Sequence, residues 1–551
     1  MAKYLDFCRC LVIFYYIRKM IGDMAENMND CKRIKYPVGI QTFPEIIEEG
    51  YLYVDKTELI YDLVTTNKFV FLSRPRRFGK SLLLSTIEAY FEGRKNLFEG
   101  LAVSDLERAW KKHPVLRADL SPESYESPEK LEKRLNLIIG EWGSRFGTDP
   151  LEDTIAAKFR GVIRRAVKQT GEKVVILIDE YDKPLLESLH KDELHSTLRD
   201  ELKGFYSVLK ESDQYIRFAM LTGVTKFGHV SVFSGLNNLK DISLLPKYNA
   251  LCGIAESEFR RDFKDSVSNF ASENEMREQD VWQIFRENYD GYHFCDGGEG
   301  IYNPFSVLLA FDDARLGEYW FSSGTPTILV KIIERNNYSV AEVLKQRLTE
   351  SELKDLTNPD RNLTTLLYQS GYLTVKNYDK ATRKYSLDFP NREVASGFWD
   401  FLYKNYVLPA NRSTAFDIEN FVDELKRGEA GSFMERLKSL FASLSTGNAP
   451  KLEREIHFQN TMTVIFRLLG LQVNVEVPVA SGRTDTVVET EDYVYIFEYK
   501  INLSAEAALR QIHDKGYAAP FAKESRKVYL IGINFDTAVG TLSACEIEPL
   551  N

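Results

Sequence analysis

The chain is 551 residues long, which at a typical domain size corresponds to about three or four domains. Its hydrophobic content of 44% and charged content of 28% are those of an ordinary globular chain and exclude a disordered or collagen-like one. The formal net charge of -10 gives no global signature of nucleic-acid binding, so such binding would require a local basic patch.

Residues 1–35 are predicted to be an extension ahead of the first domain. An apolar run at 11–17 is flanked by charged residues and is too short for a membrane span or a convincing signal peptide, so we expect no membrane partner. The cysteines are scattered and form no Cys-x-x-Cys pair, which predicts neither a zinc site nor a disulfide framework and favours a cytoplasmic location. They are Cys8, Cys10, Cys31, Cys252, Cys295 and Cys545.

A strand, a short loop and a helix are predicted in immediate succession at 69–91. The apolar run Phe69–Leu72 predicts a buried strand, and Ser81–Phe91 has helical spacing. The loop between them ends in Gly79-Lys80-Ser81, which in this context is typical of a phosphate-binding P-loop. Gly79 admits a close approach of the backbone to phosphate. Lys80 would reach the β- and γ-phosphates, and the Ser81 hydroxyl would bind Mg²⁺.

The loop is unusually basic. Arg74 stands where the full motif has its first glycine, and Arg76 and Arg77 follow it. These side chains could add phosphate contacts or line an interface, and a chance Gly-Lys-Ser on a surface turn is the alternative to both. If the loop binds nucleotide, we expect its contacts to come from Arg76, Arg77, Phe78, Gly79, Lys80, Ser81, Leu82 and Asp179.

A second polar group follows the most apolar run of the chain. Val174–Ile178 predicts a parallel strand buried on both faces, and Asp179 and Glu180 come directly after it. In an α/β sheet this is the edge at which ligands bind. Asp179 would hold Mg²⁺, and Glu180 would orient or deprotonate the attacking water. The alternative is an acid pair in a loop after a core strand.

Two further core strands are predicted at His113–Leu120 and Arg217–Lys226. Thr222 and Thr225, in the second of them, are candidates for sensing a γ-phosphate, although a helix cap or a simple turn would use the same residues. The alternation of strands and helices predicts a doubly wound α/β domain at 36–245.

The next part of the chain is predicted to be mostly helical. In the region 246–400, helices are expected at Glu256–Phe270 and Glu275–Tyr289, and a helix from Leu363 leads into a β-hairpin at 370–387. This last pattern is winged-helix-like, and such modules bind DNA or serve as lids and spacers. A helical linker follows at 401–450.

A second chemical centre is predicted in the segment 451–551. Glu498 and Lys500 lie two residues apart in a strand and therefore on one face, and a hairpin can bring Asp485 alongside them. Asp485 and Glu498 would bind Mg²⁺, while Lys500 would orient water or stabilise developing charge. Gln511 on the following helix could touch the site. The alternative is a salt-bridged strand face.

Taken together, these motifs resemble a known family. Tyr53–Thr57, Arg74–Ser81 and Leu177–Asp182 look like the bacterial AAA-ATPase-like family. Gly482–Asp485 and Phe497–Lys500 resemble its attached PD-(D/E)XK nuclease-superfamily domain. The resemblance implies an α/β chain. It would have a P-loop NTPase domain with a parallel sheet covered on both faces, a helical and winged-helix-like middle, and a restriction-endonuclease-like α/β domain at the C-terminal end.

The resemblance also implies cofactors and a substrate class. ATP and Mg²⁺ are the expected cofactors, and Glu455 matches the position of an accessory metal ligand. Thr484 departs mildly from the family pattern, which has an apolar residue before the aspartate. The leading hypothesis is a cytoplasmic ATPase coupled to a Mg²⁺-dependent nuclease acting on DNA or RNA, with homo-oligomers as a further expectation. The alternative is a nucleotide-switched regulatory protein that holds nucleic acid or a partner without cutting.

Overall fold

The described residues of the computed structural model are 34–189, 191–226, 238–322, 327–354, 356, 362–408, 418–444, 451–470, 474–476, 486–523 and 525–550. Nearly all of the predicted extension at 1–35 lies outside these ranges, and so does Asp485.

The N-terminal domain is built on a five-stranded parallel sheet. Its strands are β1 (Phe69–Ser73), β2 (Val115–Asp119), β3 (Val174–Asp179), β4 (Ile216–Gly223) and β5 (Lys240–Asp241), in the order β2-β3-β4-β1-β5. Strand β3 is buried along its whole length, as its run of β-branched and leucine residues requires. Because all strands are parallel, the carboxyl ends of β1, β3 and β4 meet at one edge of the sheet.

Helices connect these strands, which confirms the predicted α/β fold. The one at Ile155–Thr170 illustrates how sequence sets their ends: Thr154 Oγ1 accepts a hydrogen bond from the Ala157 amide (3.1 Å), and Gly171 closes the helix with a φ of 72°. The helices of this domain are Phe43–Glu48, Thr57–Thr66, Lys80–Phe91, Val103–Leu106, Pro128–Phe146, Ile155–Thr170, Lys183–Ser188 and Asp192–Glu211.

A helical region follows, with a two-stranded ribbon of β6 (Ile254–Ala255) and β7 (Ile301–Tyr302). Its helices are Glu256–Asp262, Lys264–Glu273, Glu278–Tyr289, Pro304–Asp312, Tyr319–Ser322, Thr327–Asn336, Val340–Val343, Glu350–Lys354, Leu363–Ser370 and Arg392–Leu402, with a π-helical turn at Tyr403–Val407.

The prediction of one continuous helix in this region is wrong. The expected single helix at Glu256–Phe270 is broken at Phe263, which leaves the helical conformation between two shorter helices. The break lets both helices contribute to one aromatic cluster, since the rings of Phe259 and Phe270 lie 6.2 and 6.1 Å from that of Phe311. Tertiary packing of aromatic rings thus overrides a continuous helical pattern.

The predicted β-hairpin after the helix at Leu363–Ser370 is present and has a third strand. Strands β8 (Arg347–Thr349), β9 (Thr374–Asp379) and β10 (Lys384–Asp388) form an antiparallel sheet in the order β8-β10-β9. Strand β8 is three residues long and comes before the helix, so the sequence pattern gave no sign of it.

The C-terminal domain is a second α/β unit. Its strands are β11 (Asn474–Glu476), β12 (Thr486–Glu489), β13 (Tyr493–Ile501), β14 (Lys527–Asp536) and β15 (Thr541–Pro549), arranged in chain order. Strands β13 and β14 are parallel, and the other neighbours are antiparallel. The helices before and within this domain are Ile418–Lys426, Ala430–Ser443, Lys451–Leu469 and Ala505–Lys515.

A buried asparagine ties the first helix of this domain to the helical region. Asn460, on Lys451–Leu469, donates through Nδ2 to the Tyr338 carbonyl (2.8 Å) and the Tyr406 hydroxyl (3.0 Å). Its Oδ1 accepts from the Val340 amide (2.9 Å). Because a buried amide left without partners is costly, this helix is held in one position on the helical region.

A buried carboxyl group joins three segments of the helical region. Glu393 is 3% exposed and accepts hydrogen bonds from Ser306 Oγ (2.9 Å) and the Trp320 backbone amide (2.7 Å). Burial raises the pKa of Glu393 to about 8, and these donors offset only part of that rise. The folded protein therefore keeps a proton at neutral pH that the unfolded chain, with a glutamate pKa of about 4.3, has lost.

Replacing this group with its neutral analogue should change how stability depends on pH. Between about pH 5 and pH 8 the wild-type folded state binds one proton more than the unfolded chain, so its free energy of unfolding falls by about 1.4 kcal/mol per pH unit. The glutamine in Glu393→Gln does not titrate. The melting temperature of this variant, measured relative to that of the wild type, should therefore increase as pH rises. Thermal melts from pH 5 to 8 measure this change, and Glu273→Gln, at an exposed position, is the control. If the difference in melting temperature between Glu393→Gln and the wild type does not depend on pH, the prediction is contradicted.

Candidate functional site

The loop after β1 has the backbone shape of an anion-binding turn. Arg77 and Gly79 have positive φ angles of 67° and 88°, and left-handed residues in such a loop turn successive N–H groups toward one side. A Cβ atom added to Gly79 would meet no atom within 4 Å, so the space beside it is open. The helix at Lys80–Phe91 begins directly afterwards and contributes unpaired N–H groups.

Lys80 lies at the junction of this loop and the sheet edge. Its side chain is 4% exposed, and Nζ donates to the carbonyls of Arg74 (3.1 Å) and Pro75 (3.2 Å). Glu180 Oε1 lies 3.6 Å from the same Nζ. The structure thus brings together the lysine of the loop and the acid pair after β3, although they are a hundred residues apart in the chain.

The acid pair is fixed by its neighbours on β4. Asp179 is 2% exposed, and its Oδ1 accepts hydrogen bonds from Thr222 Oγ1 (2.6 Å) and the Glu180 amide (3.1 Å). Glu180 has a positive φ of 50°, and its side chain is 23% exposed. Thr222 therefore orients Asp179 in this structure, and Glu180 is the more accessible of the two carboxylates.

A third acid, to which the sequence analysis gave no role, stabilises the same edge of the sheet. Asp182 is fully buried and accepts hydrogen bonds from the amides of Val224 (3.1 Å) and Thr225 (2.5 Å), as well as from Thr225 Oγ1 (2.6 Å). Burial raises its pKa to about 6, and the nearby negative charge of Glu180 adds to the rise. Thr225 thus anchors the loop after β4 through Asp182.

The Arg74 side chain is buried inside the protein and does not line an exposed surface. It is 1% exposed, its guanidinium donates to the carbonyls of Ser243 (2.7 Å) and Tyr248 (3.1 Å), and it stacks 4.0 Å from the centroid of the Phe294 ring. Its charge is therefore distributed over backbone carbonyls and an aromatic face. The partners come about 170 residues later in the chain, which explains why the motif alone did not reveal this role.

Arg76, Arg77 and Phe78 differ in how they could contact a ligand. Arg76 and Arg77 are exposed, with the Arg77 guanidinium 4.7 Å from the centroid of the Phe305 ring. Phe78 is fully buried, and its ring packs edge-on to Tyr292 at a centroid distance of 4.8 Å. Both arginines therefore present side chains to solvent, whereas Phe78 is part of the protein core.

A cavity of about 100 Å³ opens beside Gly79 and Leu82. Its walls come from the first domain and from the helical region, are mostly apolar, and include Lys56, whose ammonium is paired with Glu258. Burial lowers the pKa of Lys56, while Glu258 opposes that change. The sequence did not predict this cavity. Part of its wall comes from Tyr53–Thr57, a segment that contributed to the prediction only through the family resemblance.

In the C-terminal domain, Glu498 and Lys500 lie on the same face of β13 and are in contact. Glu498 is fully buried, and Lys500 Nζ donates to Glu498 Oε1 (2.9 Å). The same ammonium donates to Gln511 Oε1 (2.5 Å) on the next helix. Burying a carboxylate and a lysine together is costly unless the pair has a function or good geometry.

The predicted metal site also includes Asp485 and, from the family resemblance, Glu455. Asp485 lies outside the described residues, which resume at Thr486, the partner of Phe497 in the β12–β13 ladder. Glu455 is partly buried on its helix. Among the residues that the structure describes, no three His, Cys, Asp or Glu side chains form a group able to hold a metal ion. Of the two predicted ligands Asp485 and Glu498, the structure thus describes Glu498.

None of the described helices combines the length and the apolarity that crossing a membrane requires.

Comparisons with known proteins agree with both halves of this description. Residues 37–233 match the family described as "Predicted AAA-ATPase", and residues 453–544 match the "PD-(D/E)XK nuclease superfamily". The chain is also 36% identical over 526 residues to a protein from Azotobacter chroococcum mcd 1, described as "Uncharacterized protein in vnfD 5'region". That alignment covers 94% of this chain and 99% of its relative.

This chain and its relative thus align over almost their full lengths. Within this chain, the aligned length includes the buried Lys80, the acid pair after β3 and the Glu498–Lys500 contact. The chain belongs to the predicted AAA-ATPase family and carries a PD-(D/E)XK nuclease-superfamily domain at its C-terminal end.

Proposed function

We propose that the chain is an ATPase whose nucleotide state controls a Mg²⁺-dependent nuclease domain acting on DNA or RNA in the cytoplasm. The observation that carries the first half is the position of Lys80. Its ammonium is buried between two loop carbonyls and Glu180, at the edge where β1, β3 and β4 end. An ammonium at a loop of converging N–H groups is suited to a polyphosphate.

The residues around Lys80 fit ATP and Mg²⁺. The loop amides and Lys80 would bind the phosphates, with Arg76 and Arg77 as further cationic contacts. Ser81 and Asp179 would hold the metal, which supplies charge neutralisation to the transferred phosphoryl group. Glu180 would take a proton from the attacking water, because it is the acid with access to solvent.

The cavity beside Gly79 is proposed to take the nucleobase. It adjoins the loop and is largely apolar, as sites for planar bases are. Since its walls come from two regions of the chain, a bound base would contact both the first domain and the helical region. The same region holds the first helix of the nuclease domain through Asn460. This contact offers a path by which nucleotide binding would act on the C-terminal site.

In the C-terminal domain, Glu498 and Asp485 are proposed as metal ligands and Lys500 as the residue that orients water. The support is the contact of Lys500 with both Glu498 and Gln511, which fixes the ammonium beside the carboxylate. Bound Mg²⁺ would polarise the phosphodiester and lower the pKa of water.

Removing the loop lysine should weaken nucleotide binding. Lys80→Ala deletes the cation that is placed to contact phosphate, so we expect ATP affinity to fall by about 10- to 100-fold. Titration of a fluorescent ATP analogue measures this. Exposed Lys95→Ala in the same domain is the matched control and should bind like the wild type. Equal affinities for all three proteins contradict the assignment.

Glu180→Gln should separate hydrolysis from binding. The amide keeps the size of the side chain but cannot accept a proton, so we expect the hydrolysis rate to fall by about 100-fold or more. ATP affinity should change little, because the proposed phosphate contacts remain. Steady-state phosphate release and nucleotide titration together measure the two effects. Hydrolysis at the wild-type rate would exclude Glu180 as the base.

Lys500→Ala should abolish metal-dependent cleavage of labelled nucleic acid, while exposed Lys515→Ala should not. Single- and double-stranded DNA and RNA are assayed with Mg²⁺ or Mn²⁺, with and without ATP. Thermal melts establish that the variants fold. A wild-type protein that binds one of these substrates but cuts none of them, with either metal, would favour the alternative of a nucleotide-switched regulatory protein.

A further inference from the structure

The phosphate-binding loop owes its shape to residues from outside the first domain. Arg77 has a φ of 67°, a left-handed conformation that is strained for any residue with a Cβ atom. Such a conformation persists only where the surroundings fix it. The loop therefore needs partners on both sides of Arg77, and the helical region supplies them.

The carbonyl on each side of Arg77 is held. The Trp320 indole Nε1 donates to the Arg76 carbonyl (3.0 Å), and the Gly253 amide donates to the Phe78 carbonyl (3.0 Å). No described peptide bond is cis. In a trans peptide the N–H points opposite to the C=O, so anchoring these two oxygens also directs the N–H groups of Arg77 and Gly79 away from the anchors.

We propose that Trp320 is a positioning residue for the phosphate-binding loop. Its indole N–H holds the Arg76 carbonyl and so keeps the following N–H group available to phosphate. The inference rests on the proposed nucleotide binding at this loop and adds a residue from the helical region to that site. Trp320 acts through the backbone of Arg76 and does not itself touch the nucleotide.

The position of Trp320 depends in turn on the helical region. Its backbone amide donates to Glu393 (2.7 Å), and its ring lies 5.3 Å from that of Tyr372. Gly371 approaches the loop so closely that an added Cβ would lie 2.6 Å from the Pro75 Cβ. The loop is therefore in its binding shape only when this part of the helical region is docked against it.

The test compares Trp320→Phe with Trp282→Phe. Phenylalanine keeps an aromatic ring but loses the N–H donor, so loss of one hydrogen bond should weaken ATP and ADP binding by about 3- to 10-fold. Trp282 belongs to the same region and packs on Phe259 and Arg260, away from the loop, so its variant should bind like the wild type. Hydrogen exchange of the nucleotide-free protein should be faster at residues 76–79 in Trp320→Phe alone.

A double variant separates positioning from general damage. Arg77→Gly relieves the strained conformation, so the loop no longer needs the indole anchor as strongly. The effect of Trp320→Phe on ATP affinity should therefore be smaller in the Arg77→Gly background than in the wild type. A merely structural loss would be the same in both backgrounds.

Unchanged affinity together with unchanged exchange at residues 76–79 in Trp320→Phe would overturn the inference, and so would an equal effect in the two backgrounds. A wild-type protein that binds no nucleotide would instead contradict the proposed function. The exchange comparison would still decide whether Trp320 holds the loop.

Discussion

The ion pair between Lys80 and Glu180 is the contact on which the N-terminal site depends. The ammonium is almost completely buried, and its other partners are carbonyls of the loop that precedes it. A buried cation is tolerated only with such compensation, so the loop and the end of β3 must stay close together. Thr222, between them on β4, fixes Asp179 and thereby the start of the acid pair. The geometry of the edge follows from these few contacts.

The second constraint is that the helical region completes this site. The Arg74 guanidinium donates to the carbonyl of Tyr248, and the Phe78 ring packs against those of Tyr292 and Phe294. One wall of the cavity beside Gly79 comes from residues 251–254. If the loop binds nucleotide as proposed, that binding and the docking of the helical region would be linked equilibria. The Asn460 contact would extend this linkage to the first helix of the nuclease-superfamily domain.

Much of this was predictable from sequence, because the relevant signals are local. The run before Asp179 predicted a fully buried strand, and the two-residue spacing of Glu498 and Lys500 predicted their common face. The fold of the N-terminal α/β unit followed from such patterns, and that of the C-terminal unit was implied by the family resemblance. The structural role of Arg74 did not, because its partners are distant in the chain. The broken helix at Phe263 and the short strand β8 depend on tertiary packing, which periodicity does not report.

The central proposal is that the loop ending at Lys80 binds a nucleoside triphosphate with Mg²⁺. Calorimetric titration of the wild-type protein with ATP, in the presence of Mg²⁺ and again in EDTA, tests it most directly. We predict saturable binding of one nucleotide per chain, weakened when Mg²⁺ is removed because Ser81 and Asp179 then lose their shared partner. Absence of saturable binding at millimolar ATP in both conditions would contradict the account.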